Sequence, residues 1–280
     1  MPKRFLLRFA ALAASAAAIL FWASGQLPDG ISRAVFLNVG QGDAFLFRGG
    51  DGATLLVDGG PDSALLWETA AQLPFLERRI DLLAVTHPNA DHFVGFLELL
   101  ERIEVRQILL PAIVGGDAIY SEFLARVRER GIPVHFSAAG DLWQLGKNAQ
   151  LAVLFPPSRE PFRARDENDA GLFLRLEVTG KKERASFLLT GDAGIPVEKQ
   201  LLASGVDLRA DVLKVGHHGS KNSSSAEFLE AVAPAAAVIS VGENSFGHPA
   251  PEALSRLGEI LPPEKIFRTD RDGTIGWKIR

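Results

Sequence analysis

The chain has 280 residues, 47% apolar and 23% charged, with a formal net charge of −4. It therefore has no overall basic field to draw in nucleic acid or an anionic membrane, and a polyanion must be held by a local patch or by metal. The absence of cysteine excludes disulfides, thiolate metal sites and a cysteine nucleophile, so histidine, carboxylate, amide and water remain as metal ligands.

The first stretch, MPKRFLLRFAALAASAAAILFWASG, sets Lys3, Arg4 and Arg8 before an apolar run over residues 9–23 that ends in small residues. This layout predicts a secretory signal peptide over residues 1–30, with a single uncleaved membrane anchor as the alternative. The run is short and alanine-rich for a stable span. The working domain is then 31–280. Three short β-type runs follow, at 34–39, 44–48 and 54–57, separated by the breakers GQGD and GGDG, and predict an antiparallel meander. PDSALLWETAAQLPFLE has helical periodicity. From Asp81 strands and helices alternate: strand 82–85, helix near 94–101, strand 107–110, helix near 120–130, strand 133–136. Residues 143–189 return to strands (AQLAVLF, LFLRLEV, ASFLLT), and the end alternates again through DVLKVG, SAEFLEAV, AAAVISV and PEALSRLGEI. Two strand-rich regions, each followed by helices, predict an α/β architecture of two facing sheets with helices outside.

SREPFRARDENDAG is a loop near the site. RVRER near 126–130 and GKKER near 180–184 are solvated faces of a helix and a hairpin turn rather than a DNA groove. In SKNSSS, Ser224 and Ser225 are placed to cap the helix that follows.

Four segments put chemistry at strand exits. AVTHPNADHFVGF packs His87, Asn89, Asp91 and His92 directly after an apolar run, SFLLTGD presents Asp192, DVLKVGHHGS presents His217 and His218, and AAAVISVGENSFGHP presents His248. Loops at the carboxyl ends of strands converge on one crevice in open α/β sheets, so five of the six histidines are expected to meet at one edge. His135 in IPVHF is read as an ordinary packing residue. Imidazoles and carboxylates without thiolates suit zinc, manganese or iron, held singly or as a pair.

Taken together and in this order, FLNVGQGDAFLFRGGDGATLLVDGG, LLAVTHPNADHFVG, FLLTGD, DVLKVGHHGSKNSS, FGHPAPE and FRTDRDGTIGW resemble the metallo-β-lactamase-fold domain of ComEC-type DNA-internalisation (competence) proteins, over residues 34–277. The resemblance implies an αββα sandwich of two mixed sheets flanked by helices. It also implies a metal-dependent hydrolase with two divalent ions, zinc or manganese. The superfamily motif HxHxDH falls on His87, Asn89, Asp91 and His92. Its first two positions serve one ion and the last two the other. Asn89 departs from the pattern, and an amide oxygen there weakens the first site or shifts it towards manganese. Asp192 matches the bridging aspartate, and His217 matches a ligand or a phosphate-facing histidine. His218 stands beside it, and His248 matches the late histidine. The division of labour among these three is open. Asp58 in VDGG matches an aspartate that orients the metal loop. Asn168 or Asp169 stands where the superfamily has another histidine ligand, and Gly171 where serine is expected.

The implied reaction is hydrolysis of a DNA phosphodiester outside the cytoplasm. Asp91 serves as base or water orienter, or as a ligand alone, and Lys214, His218, Ser220 and Lys221 are placed to hold phosphate. The one long apolar run leaves no set of helices for a pore, so a membrane DNA-uptake channel would be a partner. Two alternatives remain: a hydrolase of lactone, β-lactam or a small phosphodiester, and a non-catalytic binding module with a decayed metal site.

Overall fold

Alternate residues of the apolar strands point to opposite faces, and here both faces are buried. The computed structural model describes residues 28–161 and 167–280, together with Ser15. The expected signal or anchor falls almost wholly outside the described residues, as does part of the 158–171 loop. Among the described residues no helix is long and apolar enough to cross a membrane.

The first half contains β1 (Ser32–Phe36), β2 (Phe45–Arg48), β3 (Thr54–Val57), α1 (Ala64–Gln72), β4 (Arg79–Ile80), β5 (Leu82–Ala84), α2 (Ala90–Phe93), α3 (Gly95–Leu99), β6 (Glu104–Val105), β7 (Ile108–Leu110), α4 (Ala118–Glu129) and β8 (Val134–Phe136). The second contains β9 (Leu142–Leu145), β10 (Ala149–Phe155), β11 (Phe173–Thr179), β12 (Arg184–Leu189), α5 (Ile195–Ser204), β13 (Val212–Lys214), α6 (Ala226–Val232), β14 (Ala236–Ile239), α7 (Pro251–Ile260), β15 (Ile266–Arg268), α8 (Thr269–Asp272) and β16 (Ile275–Ile279). Fourteen of the strands form two seven-stranded sheets, in the orders β16-β1-β2-β3-β5-β7-β8 and β15-β14-β13-β12-β11-β10-β9, and β4 and β6 pair in a small two-stranded sheet.

Pleating sorts the core into three layers. Phe36, Phe45, Phe47, Leu55 and Val57 meet Leu151, Leu174, Phe187 and Leu189 between the sheets. The intervening Val35, Leu46 and Leu56 pack against Phe93, Phe96 and Phe123 of the first helical layer, and Leu188 and Leu213 pack against Val197, Leu201, Phe228 and Leu257 of the second. This is the expected αββα sandwich.

The meander β1-β2-β3 is antiparallel throughout. Beyond it, β3, β5, β7 and β8 run parallel, as do β12, β13, β14 and β15, so the carboxyl ends of both parallel blocks open towards the site. The run of strands and helices does not foretell β16, which pairs antiparallel with β1 from Ser32↔Ile279 to Phe36↔Ile275 and returns the C-terminal strand to the first sheet.

The polar runs are placed as their composition suggests. Arg126 and Arg130 of RVRER pair with Glu101 and Glu122 on the helix surface, and GKKER forms the turn of the β11-β12 hairpin. Ser225 caps α6, its side chain accepting from the Phe228 N–H at 3.4 Å. Ser224 instead takes a positive φ of 56°. Replacing Ser225 with alanine is expected to cost about 1 kcal/mol, read from the midpoint of urea unfolding.

Candidate metal centre

Thr86 and His87 follow β5, whose strand directs their side chains under the loop that becomes α2. The Thr86 backbone N–H donates to Asp58 Oδ1 at 2.7 Å, and the Thr86 hydroxyl donates to Asp58 Oδ2, also at 2.7 Å. With its proton committed to Asp58, the hydroxyl oxygen accepts from His87 Nδ1 at 3.0 Å, leaving His87 Nε2 as a bare lone pair. His92 Nδ1 donates to the same Asp58 Oδ2 at 2.9 Å, so its Nε2 is also a lone pair. Both Nε2 atoms are buried and make no hydrogen bond. Burial pushes the Asp58 carboxyl up against the opposing pull of His92, and all three of these partners are donors.

His218 arrives from beyond β13. Its Nδ1 donates to the Ser240 carbonyl at 2.8 Å, and its Nε2 lies 3.2 Å from Asp91 Oδ2 and 3.3 Å from Asp192 Oδ2. His92 Nε2 lies 3.4 Å from Asp192 Oδ1. Lone pairs facing carboxylates repel unless a cation stands between them. Asp91, His92, Asp192 and His218 offer ligand atoms all within 4.8 Å of one another, so these residues fit a divalent ion by chemistry and spacing.

Without metal, protons must supply that charge. Burial opposes it, but Asp192 together with Asp58 for His92, and with Asp43 and Asp91 for His218, holds both imidazoles well above the usual histidine range. Burial likewise disfavours charge on Asp192, yet His218, His92 and Lys214 hold it well below the usual carboxylate range. The raised histidines stabilise the metal-free fold fully below the unfolded histidine value, and this contribution is lost as pH rises through their folded values. His87, lowered to about 3 by burial and His92, does the reverse: its contribution is present above the unfolded value and lost as pH falls towards 3. An entering cation displaces the protons on His92 and His218, so divalent-ion affinity should rise with pH. Calorimetry at pH 7 in buffers of different ionisation enthalpy should register at least about one proton released per ion.

The remaining expected residues take varied positions. The five histidine rings form a chain, His87–His92 at 4.1 Å between centroids, His92–His218 at 5.6 Å, His218–His217 at 6.1 Å and His217–His248 at 5.4 Å. His217, with Nε2 3.8 Å from Asp192 Oδ2, stands outside His218, so the inner of the two consecutive histidines is the second. His248 closes the outer end. Asn89 donates to Asn168 Oδ1 at 2.6 Å, and Asp169 accepts from the Gly194 N–H at 2.9 Å. Gly171 packs so tightly that a Cβ there would lie 2.9 Å from the Thr86 carbonyl oxygen; the close approach explains the missing serine side chain. Ser220 is buried, its hydroxyl accepting from the Asn222 N–H, whereas Lys221 is exposed. His135 packs against Trp143 at 4.9 Å.

Lys214 is not open to a phosphate. It is buried, donates to the Gly191 carbonyl at 2.7 Å, pairs closely with Asp43 and reaches Asp192 Oδ1 at 3.5 Å. Burial works against its charge, but Asp43 and Asp192 raise its pKa.

Asp43 is a site residue that the motif reading passed over, treating GQGD as a breaker. Besides Lys214 it lies 3.4 Å from His218 Nδ1. Its backbone N–H donates to the Asp91 carbonyl and its own carbonyl accepts from the Gly60 N–H. A carboxylate directly before an apolar strand was the available signal. Thr86 was visible only as part of the cluster sequence. Lys199 is a third omission: with Asn168, Asp169, Asp192, His217 and Asn222 it lines a cleft of about 520 Å³ beside the acids.

The sandwich is that of the metallo-β-lactamase superfamily, to which the chain belongs; residues 37–148 match that family's profile. The superfamily supports a metal-dependent hydrolase. Within it the chain is a homologue of competence proteins. It is 32% identical over 213 residues to ComE operon protein 3 of Bacillus subtilis (strain 168), covering 74% of this chain and 26% of that protein. It is 32% identical over 200 residues to competence protein ComA of Neisseria gonorrhoeae, covering 71% and 25%. The chain thus spans about a quarter of the length of these relatives. Among solved structures, CmlA, a diiron β-hydroxylase from Streptomyces venezuelae, aligns with a TM-score of 0.54 at 18% identity over 88% of this chain and 54% of that one. Zn(2+)-bound PqqB from Methylobacterium extorquens aligns at 0.51 and 11% identity, over 87% and 99%. Both likenesses are of fold.

Proposed function

We propose that this chain is an exported, metal-dependent phosphodiesterase that hydrolyses DNA. The observation that carries the metal reading is the convergence of His92 Nε2 and His218 Nε2 on the Asp91 and Asp192 carboxylates, with His87 Nε2 buried and unpartnered beside them. Similarity to competence proteins along about three quarters of the chain, with Lys199 and Asn222 offering a cation and an amide in the cleft, supports a DNA phosphodiester over a lactone or β-lactam.

Asp91, His92, Asp192 and His218 are the residues that would hold an ion, zinc or manganese by donor type. When bound, such an ion supplies Lewis acidity towards a phosphoryl oxygen and lowers the pKa of a water to near neutrality. Asp91, whose side chain is 32% exposed where the other three are almost fully buried, is the carboxylate that can orient the attacking water and accept its proton. Ser240 and Asp58 fix the tautomers of His218 and His92, so neither ring must reorganise during turnover. Lys199 supplies the phosphate contact that buried Lys214 does not. On the His87 side, Asn89 is tied to Asn168, which leaves a weaker second position.

The basic start and apolar run of residues 1–23 support export, by signal or anchor, with DNA delivered at a membrane uptake channel as the partner process. Metal quantification coupled to a panel of single- and double-stranded DNA, a β-lactam and a lactone tests the activity. Retained zinc or manganese with DNA cleavage is expected. Hydrolysis of the lactam or lactone alone would change the substrate, and a protein that keeps no metal at neutral pH would be a binding module. Sequencing the N-terminus after cell fractionation tests export: a cytosolic protein beginning at Met1 would refute it.

A further inference from the structure

Phe246 is 74% exposed, the highest value among the described large apolar residues, and it sits at the rim of the site. Its ring stacks on His248 with centroids 5.9 Å apart and planes 30° apart. His248 meets His217, which lies against Asp192. The loop that presents it is braced from within. Asn244 Oδ1 accepts the N–H groups of Phe246 and His248, both at 3.1 Å, and Asn244 Nδ2 donates to the carbonyls of Gly242 and His248, both at 2.9 Å. Gly242 N–H in turn donates to Gln41 Oε1 at 3.2 Å, tying the loop to the β1–β2 turn. The backbone that carries the ring is thus held in one place. His248 Nδ1 beneath it is buried without a hydrogen-bond partner.

We propose that Phe246 and His248 form a stacking subsite for the nucleobase flanking the scissile phosphate. A flat ring presented alone, between polar Glu243, Asn244, Ser245 and the imidazole of His248, matches a π-face with polar edges better than an aliphatic ligand. Every base has such a face, so the subsite tolerates any sequence, but the base must first be unstacked. The chain therefore acts on single-stranded DNA or on unpaired ends, and duplex is the poorer substrate.

The inference rests on the phosphodiesterase reading, and its test separates the two. A short single-stranded oligonucleotide is compared with the same backbone carrying tetrahydrofuran abasic units, using the full chain and its Phe246→Ala and Phe246→Trp variants. Phe246→Ala should raise KM for the base-bearing strand about tenfold with kcat nearly unchanged. It should leave the abasic strand unaffected, and Phe246→Trp should retain wild-type KM. Equal loss on both strands, or no loss on either, overturns the subsite while leaving the phosphodiesterase reading intact. Wild-type protein that cleaves neither strand overturns both.

Discussion

The Asp91→Ala protein should melt like the wild type yet cleave DNA on the order of a thousandfold more slowly at saturating manganese. Asp91 is partly exposed, and the buried His218 that it faces keeps Asp43 and Asp192 as partners, so its removal leaves no buried charge stranded. Asp192→Asn should lose as much activity and also lose stability. Asp192 is buried among His92, Lys214 and His218, and losing its charge leaves buried cations uncompensated, at a cost of about 3 kcal/mol in the metal-free fold. Paired thermal melts and single-turnover assays distinguish the two. If Asp91→Ala kept wild-type activity, the assignment of the catalytic cluster would be lost and the cleavage ascribed to a contaminant.

A second contrast is expected at Asp43 and Lys214. The Lys214 ammonium has three acceptors, and Asp43 and Gly191 hold it closer than Asp192 does. Asp43 thereby keeps an internal cation off a carboxylate that is needed for metal. In Asp43→Asn the ammonium is left with Asp192 as its full carboxylate partner and competes with the ion for the same oxygens. Metal affinity measured by calorimetry should fall about ten- to a hundredfold. The Asp43→Asn/Lys214→Met double variant should recover most of that loss, because the competitor is gone. If Asp43 merely braced the loops that its backbone joins, the double variant would bind metal no better than the single one.

Much of this centre could be read from the chain. Buried strands leave short apolar runs, so 54–57 and 149–155 match the observed strands; helical spacing of apolar residues marks 251–260, and strand exits mark where loops converge. His87, Asp91, His92 and Asp192 were thereby assigned to one edge, and the five histidine rings do lie in one chain. Short elements were less legible. The two-residue strands β4 and β6 are too brief to show a period, and β16, five residues with Gly276 and Lys278 among them, is completed as a strand by the edge that β1 offers it.

The order of polar and apolar residues along the chain determined the sandwich and the loops that carry its chemistry, because pleat and helical turn are local properties. Which side chain does what was decided only by tertiary packing. His217 and His218 are neighbours of one type, and the positive φ of both, 47° and 51°, turns the second inward to the acids. Lys214 reads as a cation for phosphate until the fold brings Asp43 across from the other sheet to take it. A buried charge acts through its partners, and those partners come from parts of the chain that no local pattern connects.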